Sequence, residues 1–384
     1  MSVAAPPLEP LHPATHVPDD PFELIPRDAI VAVAMSGGVD SSVAAALCAA
    51  RGLRTVGITL AMWPRDRERD RDRGCCSIDA VEDARRVAAS LGIAHYSWNL
   101  EPEFRREVIS VFAEEHAAGR TPNPCVRCNQ TIKFGALLER AREAGATHVA
   151  TGHYARIGRR GAAASLHRGA AAAKDQAYTL HRLDQGQLRR ALFPLGGETS
   201  KAEVRRTAAE LGLVTAAKPD SQELCFVEGS VRADLEQRLA GRFQPGPMLD
   251  LSGTVIGEHR GVPFYTVGQR SGLGIAPSTP DAAPLHVIAV DALANTVTVG
   301  PRAALERSVV RLTDVHWIGA PPSSGARVTV QLRAHSAPAP VTLAAAGTTV
   351  VLRCAPPLTQ VAPGQAGVLY VGDEVIGGGV VTAT

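Results

Sequence analysis

The sequence predicts an α/β protein in which a doubly wound parallel sheet is followed by a small β-rich domain and a C-terminal antiparallel β-barrel. Two observations lead to this fold class. In the first half, apolar strand-like runs such as IVAVA and RTVGITL alternate with helix-forming runs such as AAALCAA, which is the spacing of βαβ units. After about residue 240, short alternating runs such as NTVTVG and VTVQLRAH are separated by turn residues, and no long helical pattern is present.

The composition is that of a globular protein with two or three domains. The 384 residues are 45% hydrophobic and 20% charged, which is ordinary, and the formal net charge of +2 neither requires nor excludes an RNA partner. No run approaches the ~20 apolar residues that span a bilayer, and no signal pattern is present, so we expect a cytoplasmic protein without a membrane partner. Seven cysteines favour thiol chemistry or metal ligation over a disulfide framework.

Turn residues divide the first half into elements. Residues 1–25 are rich in proline and aperiodic, which predicts a disordered extension. Ordered elements are expected as strands at 30–34, 54–60, 93–98 and 147–154, and as helices at 43–51, 78–91, 103–118, 132–144 and 200–211, the last started by a Ser200 and Glu203 capping box.

Other segments are predicted to be loops. Residues 65–73 alternate in charge sign, which favours a solvated loop over an RNA contact. Residues 121–129 contain two prolines and two thiols, so a rigid loop is expected there, and a Gly- and Ala-rich loop is expected before residue 174. The predicted domains are 26–224, 225–284 and 285–384.

The turn SGGVDSS at residues 36–42 has the features of a phosphate site. Its glycines let backbone N–H groups approach an anion, and the helix N-terminus and serine hydroxyls add donors. No lysine lies between Ser36 and Arg51, so this is not the GxxxxGK[ST] loop, and it suits a pyrophosphate leaving group better than a γ-phosphate. The motif resembles the PP-loop of ATP pyrophosphatases, which split ATP into AMP and pyrophosphate while adenylating a carbonyl oxygen.

From about residue 28 onward the chain resembles the bacterial tRNA-specific 2-thiouridylase family. The resemblance is carried, in order, by SGGVDSS, GRTPNPCVRCNQTIKFG, ATGHYAR, KDQAYTL, KPDSQELCF, GEHRGVPFYTVGQRSGLGI and PGQAGVLY. It implies a PP-loop fold of the adenine nucleotide α-hydrolase type, and the replacement of oxygen by sulfur at carbon 2 of the wobble uridine in tRNAs for Glu, Gln and Lys. It also implies ATP with Mg²⁺, and a persulfide donor such as a cysteine desulfurase or a sulfur-relay protein.

The resemblance assigns roles to individual positions. Cys225 is expected to carry a persulfide and Cys128 to be its nucleophilic partner, closing a Cys128–Cys225 disulfide as sulfide leaves. The residues implied for ATP are Ala34, Met35, Ser36, Gly37, Gly38, Val39, Asp40, Ser41, Leu60 through its backbone, and Gly152. The residues implied for tRNA are Asn123, Pro124 and Cys125 beside the flipped target base, together with His153, Lys174, Asp175, Gln176, Arg333, Ala334 and Gln365. A tRNA contact is preferred for His153 over a core position. Ala334 stands where an aromatic side chain could stack, so no stacking is expected there.

The cysteines leave alternatives open. Cys48 and Cys354 lie in apolar runs and are expected to be structural. The pattern leaves both a structural and a functional role open for Cys75 and Cys76, and it favours the structural one. Cys125 stands where some family members carry Asp. Because Cys125, Cys128 and Cys225 could together hold a [4Fe–4S] cluster with one open iron, a cluster-bound hydrosulfide is an alternative sulfur carrier. A structural zinc with His153 as fourth ligand is less favoured.

Two other functions compete with this interpretation. Another AMP-forming ligase or amidotransferase would need the phosphate turn, but it has no use for paired loop cysteines or a C-terminal barrel. An RNA-binding or iron–sulfur-sensing protein would not need an intact SGGVDSS. If the barrel is the main tRNA-binding unit, removal of residues from about 285 onward should leave a foldable α/β core with little tRNA affinity.

Overall fold

The computed structural model of the protein describes residues 15–62, 78–219, 224–227, 229–275, 283–359 and 361–382. Its strands, in chain order, are β1 Ile30–Ala34, β2 Arg54–Ala61, β3 Ala94–Asn99, β4 His148–Ala150, β5 Ala155–Arg160, β6 Ala163–Arg168, β7 Ala191–Leu192, β8 Gly246–Leu249, β9 Val255–His259, β10 His286–Asp291, β11 Thr296–Gly300, β12 Arg307–Trp317, β13 Arg327–Gln331, β14 Ala339–Ala346, β15 Val350–Leu358, β16 Ala366–Val371 and β17 Glu374–Val381. Its α-helices are α1 Val39–Ala50, α2 Ile78–Ser90, α3 Glu101–Phe104, α4 Ser110–Ala117, α5 Pro124–Arg127, α6 Leu137–Glu143, α7 Gln185–Leu188, α8 Lys201–Glu210 and α9 Val231–Arg238. The predicted loop at 65–73 and the pair Cys75 and Cys76 lie outside the described residues.

Five parallel strands form the sheet predicted for the first half of the chain. Their order is β3-β2-β1-β4-β7. β1 lies between β2 and β4, with Val31 opposite both Thr55 and His148. The strand order reverses beside β1, and in open sheets of this kind ligands bind at the carboxyl ends of the strands at such a point. The doubly wound parallel fold is confirmed, and the ends of β1 and β4 are where a ligand site is expected.

The segment that carries two of the thiols is helical, which the sequence analysis did not predict. Pro124 occupies the first position of α5, and the Asn123 side chain caps the helix by accepting a hydrogen bond from the Cys125 N–H at 3.1 Å. The helix continues through a π-helical segment, Cys128–Ala136, into α6. The prediction of an irregular loop over 121–129 was therefore wrong from Pro124 onward, because proline disrupts the interior of a helix and not its first turn.

Other helical predictions agree with the structure. α3, a π-helical segment at Arg105–Ile109 and α4 follow one another across the helix predicted at 103–118. Ser200 and Glu203 form a reciprocal capping box at the start of α8, as expected. Within the described ranges, no helix combines the length and the apolar character needed to cross a membrane.

A hairpin made of β5 and β6 replaces the predicted Gly- and Ala-rich loop. Its strands pair along their whole length, and Gly161 takes a left-handed φ of +57° in the turn between them. β6 continues into the C-terminal sheet by pairing with β17, with Leu166 opposite Val375. The sequence signal for these strands is weak because the hairpin gains much of its support from a strand about 200 residues later.

Six antiparallel strands close into the C-terminal barrel. Their order is β12-β15-β14-β13-β16-β17, and a further pairing of β17 with β12 closes the ring. β17 pairs with β6 at Glu374 and Val375 and with β12 farther along. The interior is apolar and includes Val310, Leu343 and Leu352. The predicted barrel is confirmed, with the first domain's hairpin attached to it.

Four strands form a separate central sheet, in the order β10-β11-β8-β9. Its core contains Met248, Tyr265, Val287 and Val297. The predicted domain boundary at residue 284 was therefore wrong, because β10 and β11 pair within the central sheet and not within the barrel. An alternating pattern identifies a strand, but it does not identify the sheet that the strand joins.

The last part of the predicted N-terminal extension is ordered. His16 forms a β-bridge with Arg159, and Phe22 and Ile25 pack against the core around β1. Asp20 caps the short 3₁₀ helix that contains Phe22. The prediction of disorder over 1–25 was thus wrong for residues 15–25, where apolar side chains and a backbone bridge hold the chain to the first domain, and residues 1–14 lie outside the described ranges.

One apolar cluster crosses the domain boundaries. It contains Phe134 and Leu180 of the first domain, Leu235 of α9, and Val368 and Tyr370 of the barrel. The first domain and the barrel therefore share a core. This arrangement argues against the prediction that removal of residues from about 285 onward leaves a foldable α/β core.

Candidate active site

The turn between β1 and α1 is fixed by its own serines and by β2. The Met35 N–H donates to the Ile58 carbonyl at 2.8 Å, and the Ser36 N–H donates to Ser41 Oγ at 3.1 Å. The Ser41 hydroxyl in turn donates to the Gly38 carbonyl at 3.0 Å. Gly38 is the N-cap of α1 and offers no side chain to its first N–H groups. The start of this helix is therefore shaped to receive an anion.

Two glycines let other backbone come close to this turn. Gly37 has a φ of +69°, and a Cβ there would lie 2.1 Å from the carbonyl oxygen of Ala80. Gly152 follows β4, and a Cβ there would lie 2.8 Å from backbone atoms of Asp40 and Ser41. Any side chain at either position would force the phosphate turn to move. Gly152 thus lies against the start of α1, and its predicted contact with ATP stays a prediction.

Asp40 is held by two side chains that the sequence analysis missed. The Tyr154 hydroxyl donates to its Oδ1 at 2.8 Å, and Lys201 Nζ lies 2.5 Å from its Oδ2. Lys201 occupies the first position of α8, where the helix dipole disfavours a cation. That unfavourable placement beside the Ser200 cap was the available signal, and the structure gives its reason by placing the ammonium against Asp40.

The remaining residues predicted to bind ATP lie along the same edge of the sheet. Ala34 ends β1, Val39 begins α1, and Leu60 lies near the end of β2, two residues beyond the carbonyl that holds Met35. Thr59, also missed, donates its hydroxyl to the Met35 carbonyl at 2.8 Å. The residues predicted to bind ATP therefore lie at the carboxyl ends of β1, β2 and β4 and at the start of α1.

The thiols differ in their surroundings. Cys125 is exposed, whereas Cys128 is 8% exposed and belongs to the shared apolar cluster. Cys225 is half-buried and packs against the same cluster. Its neighbour Phe226 is anchored there, with its ring 5.1 Å from that of Phe112 in an edge-on contact. Cys128 and Cys225, far apart in sequence, thus border one cluster.

The other described cysteines have a structural environment. Cys48 is fully buried in α1, where burial raises the pKa of its thiol to about 12, and burial also raises the pKa of the Cys354 thiol in the barrel. Both expectations are confirmed. Among the side chains that the structure describes, no three or more His, Cys, Asp or Glu residues are grouped so as to hold a metal ion. Neither the [4Fe–4S] alternative nor the zinc alternative gains support from the arrangement.

The loop with Lys174, Asp175 and Gln176 has two kinds of side chain. Lys174 and Gln176 are exposed, and Gln176 Oε1 accepts a hydrogen bond from the Tyr154 N–H at 3.1 Å. The Asp175 side chain is only 5% exposed and forms an ion pair with Arg168 at 2.7 Å. Asp175 is therefore placed to hold the loop, which differs from the predicted surface contact with tRNA.

The barrel residues predicted to contact tRNA lie beside the other two domains. Arg333 and Ala334 follow β13, and the Arg333 guanidinium donates to the Val267 carbonyl of the central domain at 3.1 Å. The Gln365 side-chain amide donates to the carbonyl of Thr121, which lies just before α5, at 2.6 Å. These contacts bring the loops of all three domains to the segment that precedes α5.

His153 is a core residue in the structure. It is 7% exposed, its Nδ1 lies 2.6 Å from the Thr151 hydroxyl, and its ring packs beside those of Phe134 and Phe193. Burial, with a smaller effect of Lys133, holds the pKa of His153 well below its usual range. The preference for a tRNA contact over a core position was therefore wrong about its placement, because the ring packs among aromatic side chains of the core.

A cavity of about 820 Å³ lies where the three domains meet. Its walls include Asn123 and Val126 beside the thiols, Val267 of the central domain and Arg307 of the barrel. Arg127 also lines it and is held by an ion pair with Glu107 at 2.7 Å. Cavities of this size accept small molecules and single nucleotides.

A serine- and glycine-rich turn at the reversal point of a doubly wound sheet defines the PP-loop class of nucleotide-binding proteins. Three family models match successive parts of the chain: tRNA methyl transferase HUP domain at residues 29–229, tRNA methyl transferase PRC-barrel domain at 234–301, and aminomethyltransferase beta-barrel domain at 307–381. The second and third ranges follow the sheets seen in the structure.

Curated relatives identify the family more closely. The chain is 48% identical over 358 residues to the tRNA-specific 2-thiouridylase MnmA of Heliobacterium modesticaldum, covering 91% of this chain and 92% of that one. It is 46% identical over 357 residues to the protein of the same name from Acidothermus cellulolyticus, covering 92% and 98%. The chain therefore belongs to the tRNA-specific 2-thiouridylase family, a family of tRNA sulfurtransferases.

Solved structures resemble the chain only weakly. A 4-thiouridine synthetase in complex with RNA and ATP matches with a TM-score of 0.34 and 19% identity, covering 56% of this chain and 51% of that one. That likeness is too weak to support a conclusion about the site.

Proposed function

We propose that this enzyme replaces the oxygen at carbon 2 of the wobble uridine by sulfur in tRNAs for Glu, Gln and Lys. The chemistry needs an activated oxygen and a nucleophilic sulfur, because a carbonyl oxygen is a poor leaving group. The observation that carries the proposal is the family membership, with 46–48% identity over more than nine-tenths of the chain. The surroundings of the thiols are compatible with it, since Cys128 and Cys225 both border the apolar cluster that crosses the domains and Cys125 is exposed. The persulfide route assigns the reaction to Cys128 and Cys225 and gives Cys125 no necessary role.

Activation uses the phosphate turn. The uridine O2 attacks the α-phosphorus of ATP, the α–β oxygen bridge breaks, and pyrophosphate leaves toward the N-terminus of α1. Backbone N–H groups and the positive end of that helix stabilise the negative charge as it develops. Asp40, fixed by Tyr154 and Lys201, is the carboxylate best placed to hold Mg²⁺, which neutralises pyrophosphate when bound.

Sulfur transfer uses the two thiols. A donor protein, a cysteine desulfurase or a sulfur-relay protein, leaves Cys225 as a persulfide. The Cys128 thiolate attacks the inner sulfur of that persulfide, so that a Cys128–Cys225 disulfide forms and hydrosulfide leaves. Hydrosulfide adds to carbon 2, its proton is released, and AMP departs with the former O2. A thiol reductant must then reduce the disulfide before the next turnover.

RNA binding combines the interdomain cavity with the surrounding loops. The target base has to leave its stack to reach the thiols, and the cavity beside Asn123 has room for a nucleotide. Lys174, Gln176, Arg333 and Gln365 are proposed to hold the RNA around it. ATP, tRNA and donated sulfur would then meet at the junction of the three domains.

Single-turnover thiolation of tRNA under anaerobic conditions tests the sulfur route. Cys128→Ser and Cys225→Ser should each lower thiolation by about 10³-fold or more while AMP formation continues. Cys125→Ala should retain activity within about threefold, and Cys354→Ala, a buried cysteine of the barrel, is the matched control.

The same samples distinguish the alternatives when their iron is measured. If Cys125→Ala is as inactive as the other two variants and activity follows iron content, a cluster-bound hydrosulfide replaces the persulfide as sulfur carrier. If the wild type forms AMP on a small carboxylate or purine and not on tRNA, the chain is a different AMP-forming ligase.

A further inference from the structure

Arg168, at the end of β6, contacts three side chains from two domains. Its Nη1 donates to Asp175 Oδ2 at 2.7 Å, and its Nη2 donates to Gln331 Oε1 at 2.9 Å. Its guanidinium carbon lies 3.8 Å from the centre of the Tyr370 ring. The side chains of Arg168 and Asp175 are 19% and 5% exposed, and Gln331 is 4% exposed as a residue. The contacts are therefore largely shielded from water and salt.

The first-domain partner shapes a loop predicted to contact RNA. Asp175 Oδ1 accepts hydrogen bonds from the N–H groups of Gly169 at 3.0 Å and Ala177 at 3.1 Å. These bonds fix both ends of the turn that exposes Lys174 and Gln176. Because Arg168 occupies the other carboxylate oxygen, it fixes the position from which this turn projects.

The barrel partner shapes a second such loop. Gln331 Nε2 donates to the carbonyls of Arg333 at 3.1 Å and Ala334 at 2.9 Å, which fold the turn after β13. The Tyr370 hydroxyl lies 3.1 Å from Gln331 Oε1 and orients the amide. The Gln331 amide nitrogen can donate to the carbonyls of Arg333 and Ala334 only while the amide oxygen faces Arg168 and Tyr370.

We propose that Arg168 is a positioning residue that holds the RNA-contact loop at 174–176 and the RNA-contact turn at 333–334 in one fixed arrangement. The inference rests on the proposed function, which makes these two loops part of the tRNA surface. A guanidinium can bond two acceptors in fixed directions and stack on a ring at once, and an ammonium cannot. Arg168 therefore sets tRNA affinity and leaves ATP chemistry to other residues.

The neighbouring pair Arg160–Glu374 provides a matched control. It also joins the β5–β6 hairpin to the barrel, at 2.7 Å and with side-chain exposures of 22% and 17%. It has a similar chemistry and burial, but Glu374 begins β17 and not a loop predicted to contact RNA. Arg160→Gln should therefore lower the thermal midpoint as Arg168→Gln does, without a comparable loss of tRNA affinity.

Direct tRNA binding by the full chain is the first measurement, followed by KM and kcat for thiolation. A misplacement of about 1 Å can lower an enzymatic rate a hundredfold, and for binding we expect roughly tenfold weaker affinity in both Arg168→Gln and Arg168→Lys. KM for tRNA should rise equally, with kcat at saturating tRNA and KM for ATP changed less than about threefold. The lysine variant keeps the charge. An equal loss of tRNA affinity in both variants therefore identifies the planar, two-donor geometry of the guanidinium as the cause.

A second variant guards against misfolding. Gln331→Glu keeps the volume and an oxygen that can accept from Arg168 and Tyr370, but it cannot donate to the two carbonyls, so it should weaken tRNA binding at least threefold. The proposal is overturned if Arg168→Lys and Gln331→Glu bind tRNA as well as Arg160→Gln does, or if kcat falls with KM unchanged. A wild type that binds tRNA without thiolating it would contradict the proposed function alone.

Discussion

Gly37 and Gly52 differ in why glycine is needed: Gly52 is needed for its backbone conformation alone, and Gly37 also for the lack of a side chain. Both have left-handed backbone, with φ near +70°, but a Cβ on Gly52 would meet nothing within 4 Å, whereas one on Gly37 would collide with the Ala80 carbonyl. Gly52→Ala should therefore lower the free energy of unfolding by about 1–2 kcal/mol and keep ATP binding. Gly37→Ala should lower it further and abolish ATP binding. Denaturant unfolding and ATP titration of both variants make the comparison, and equal effects would show that the collision is unimportant.

Lys201 should matter for adenylation because it holds Asp40. Lys201→Gln removes a mostly buried cation from the Asp40 carboxylate beside the phosphate turn and should lower AMP formation by about 10²-fold or more. Arg206→Gln, on the exposed side of the same helix, is the control and should stay within about twofold of the wild type. Pyrophosphate release measured with saturating tRNA reports the step directly. Wild-type rates for Lys201→Gln would mean that the ion pair serves folding only.

Single residues of the site were predictable to the extent that local sequence determines them. SGGVDSS folds through bonds among its own members, so its role could be predicted from the motif. His153 and Asp175 could not be placed, because their burial depends on Phe193 and Arg168, which the sequence does not mark as neighbours. Lys201 was similarly invisible as a partner of Asp40.

At the scale of elements, α5 depends on its cap. Asn123→Ala should lower stability by about 1 kcal/mol, because it leaves the Cys125 N–H without its acceptor, and it should also slow thiolation by displacing the start of the thiol helix. Asn123→Asp, an equally good cap, should recover the stability. Asp184→Ala removes the cap of α7, a helix of the same length, and should change stability alone. Thermal midpoints and single-turnover rates test this, and normal thiolation by Asn123→Ala would contradict it.

Elements supported by neighbours in sequence were predicted better than elements supported from a distance. The parallel strands and the α8 capping box follow from apolar runs and local hydrogen bonds. β5 and β6 contain glycine, alanine and arginine, and they are strands because β5 pairs with β6 and β6 pairs with the distant β17. β10 and β11 were recognised as strands from their alternating pattern. They were assigned to the wrong sheet because that pattern does not show that β11 pairs with β8.

At the scale of the whole molecule, buried histidines make stability depend on pH. Burial is the main cause that lowers the pKa of His116 and of His167 to about 4. Below about pH 6.5 the unfolded chain protonates both residues while the folded protein does not. The free energy of unfolding should therefore fall as the pH drops from 6.5 toward 4, by about 2 kcal/mol for each histidine at pH 5.

Denaturant unfolding between pH 7.5 and 5 measures this dependence. The slope of the free energy of unfolding against pH gives the number of protons taken up on unfolding. That number should be smaller by up to one in His116→Gln and in His167→Gln. A decline as steep as that of the wild type in both variants would assign it to other groups.

The shared core changes what truncation should do. Removing residues 307–384 takes away the Ala366 carbonyl that accepts the Tyr178 hydroxyl at 2.9 Å, and it exposes Leu166 and Tyr178 to water. We expect the fragment to aggregate or to unfold without a cooperative transition. Calorimetry and light scattering on the fragment and on the full chain test this, and a soluble fragment with a sharp transition would restore the view that the barrel is an independent unit.

β17 pairs with β6 at its start and with β12 farther along, and the pairing with β6 has a consequence during protein synthesis. β6 leaves the ribosome about 200 residues before the strand that completes it, which corresponds to about 10–40 s at ordinary elongation rates. For that interval the nascent hairpin has an open edge of unpaired backbone, the kind of surface that recruits strands from other chains. Slow translation or an early stop before Glu374 would prolong the exposure, so chaperone demand should depend on how quickly the ribosome reaches β17.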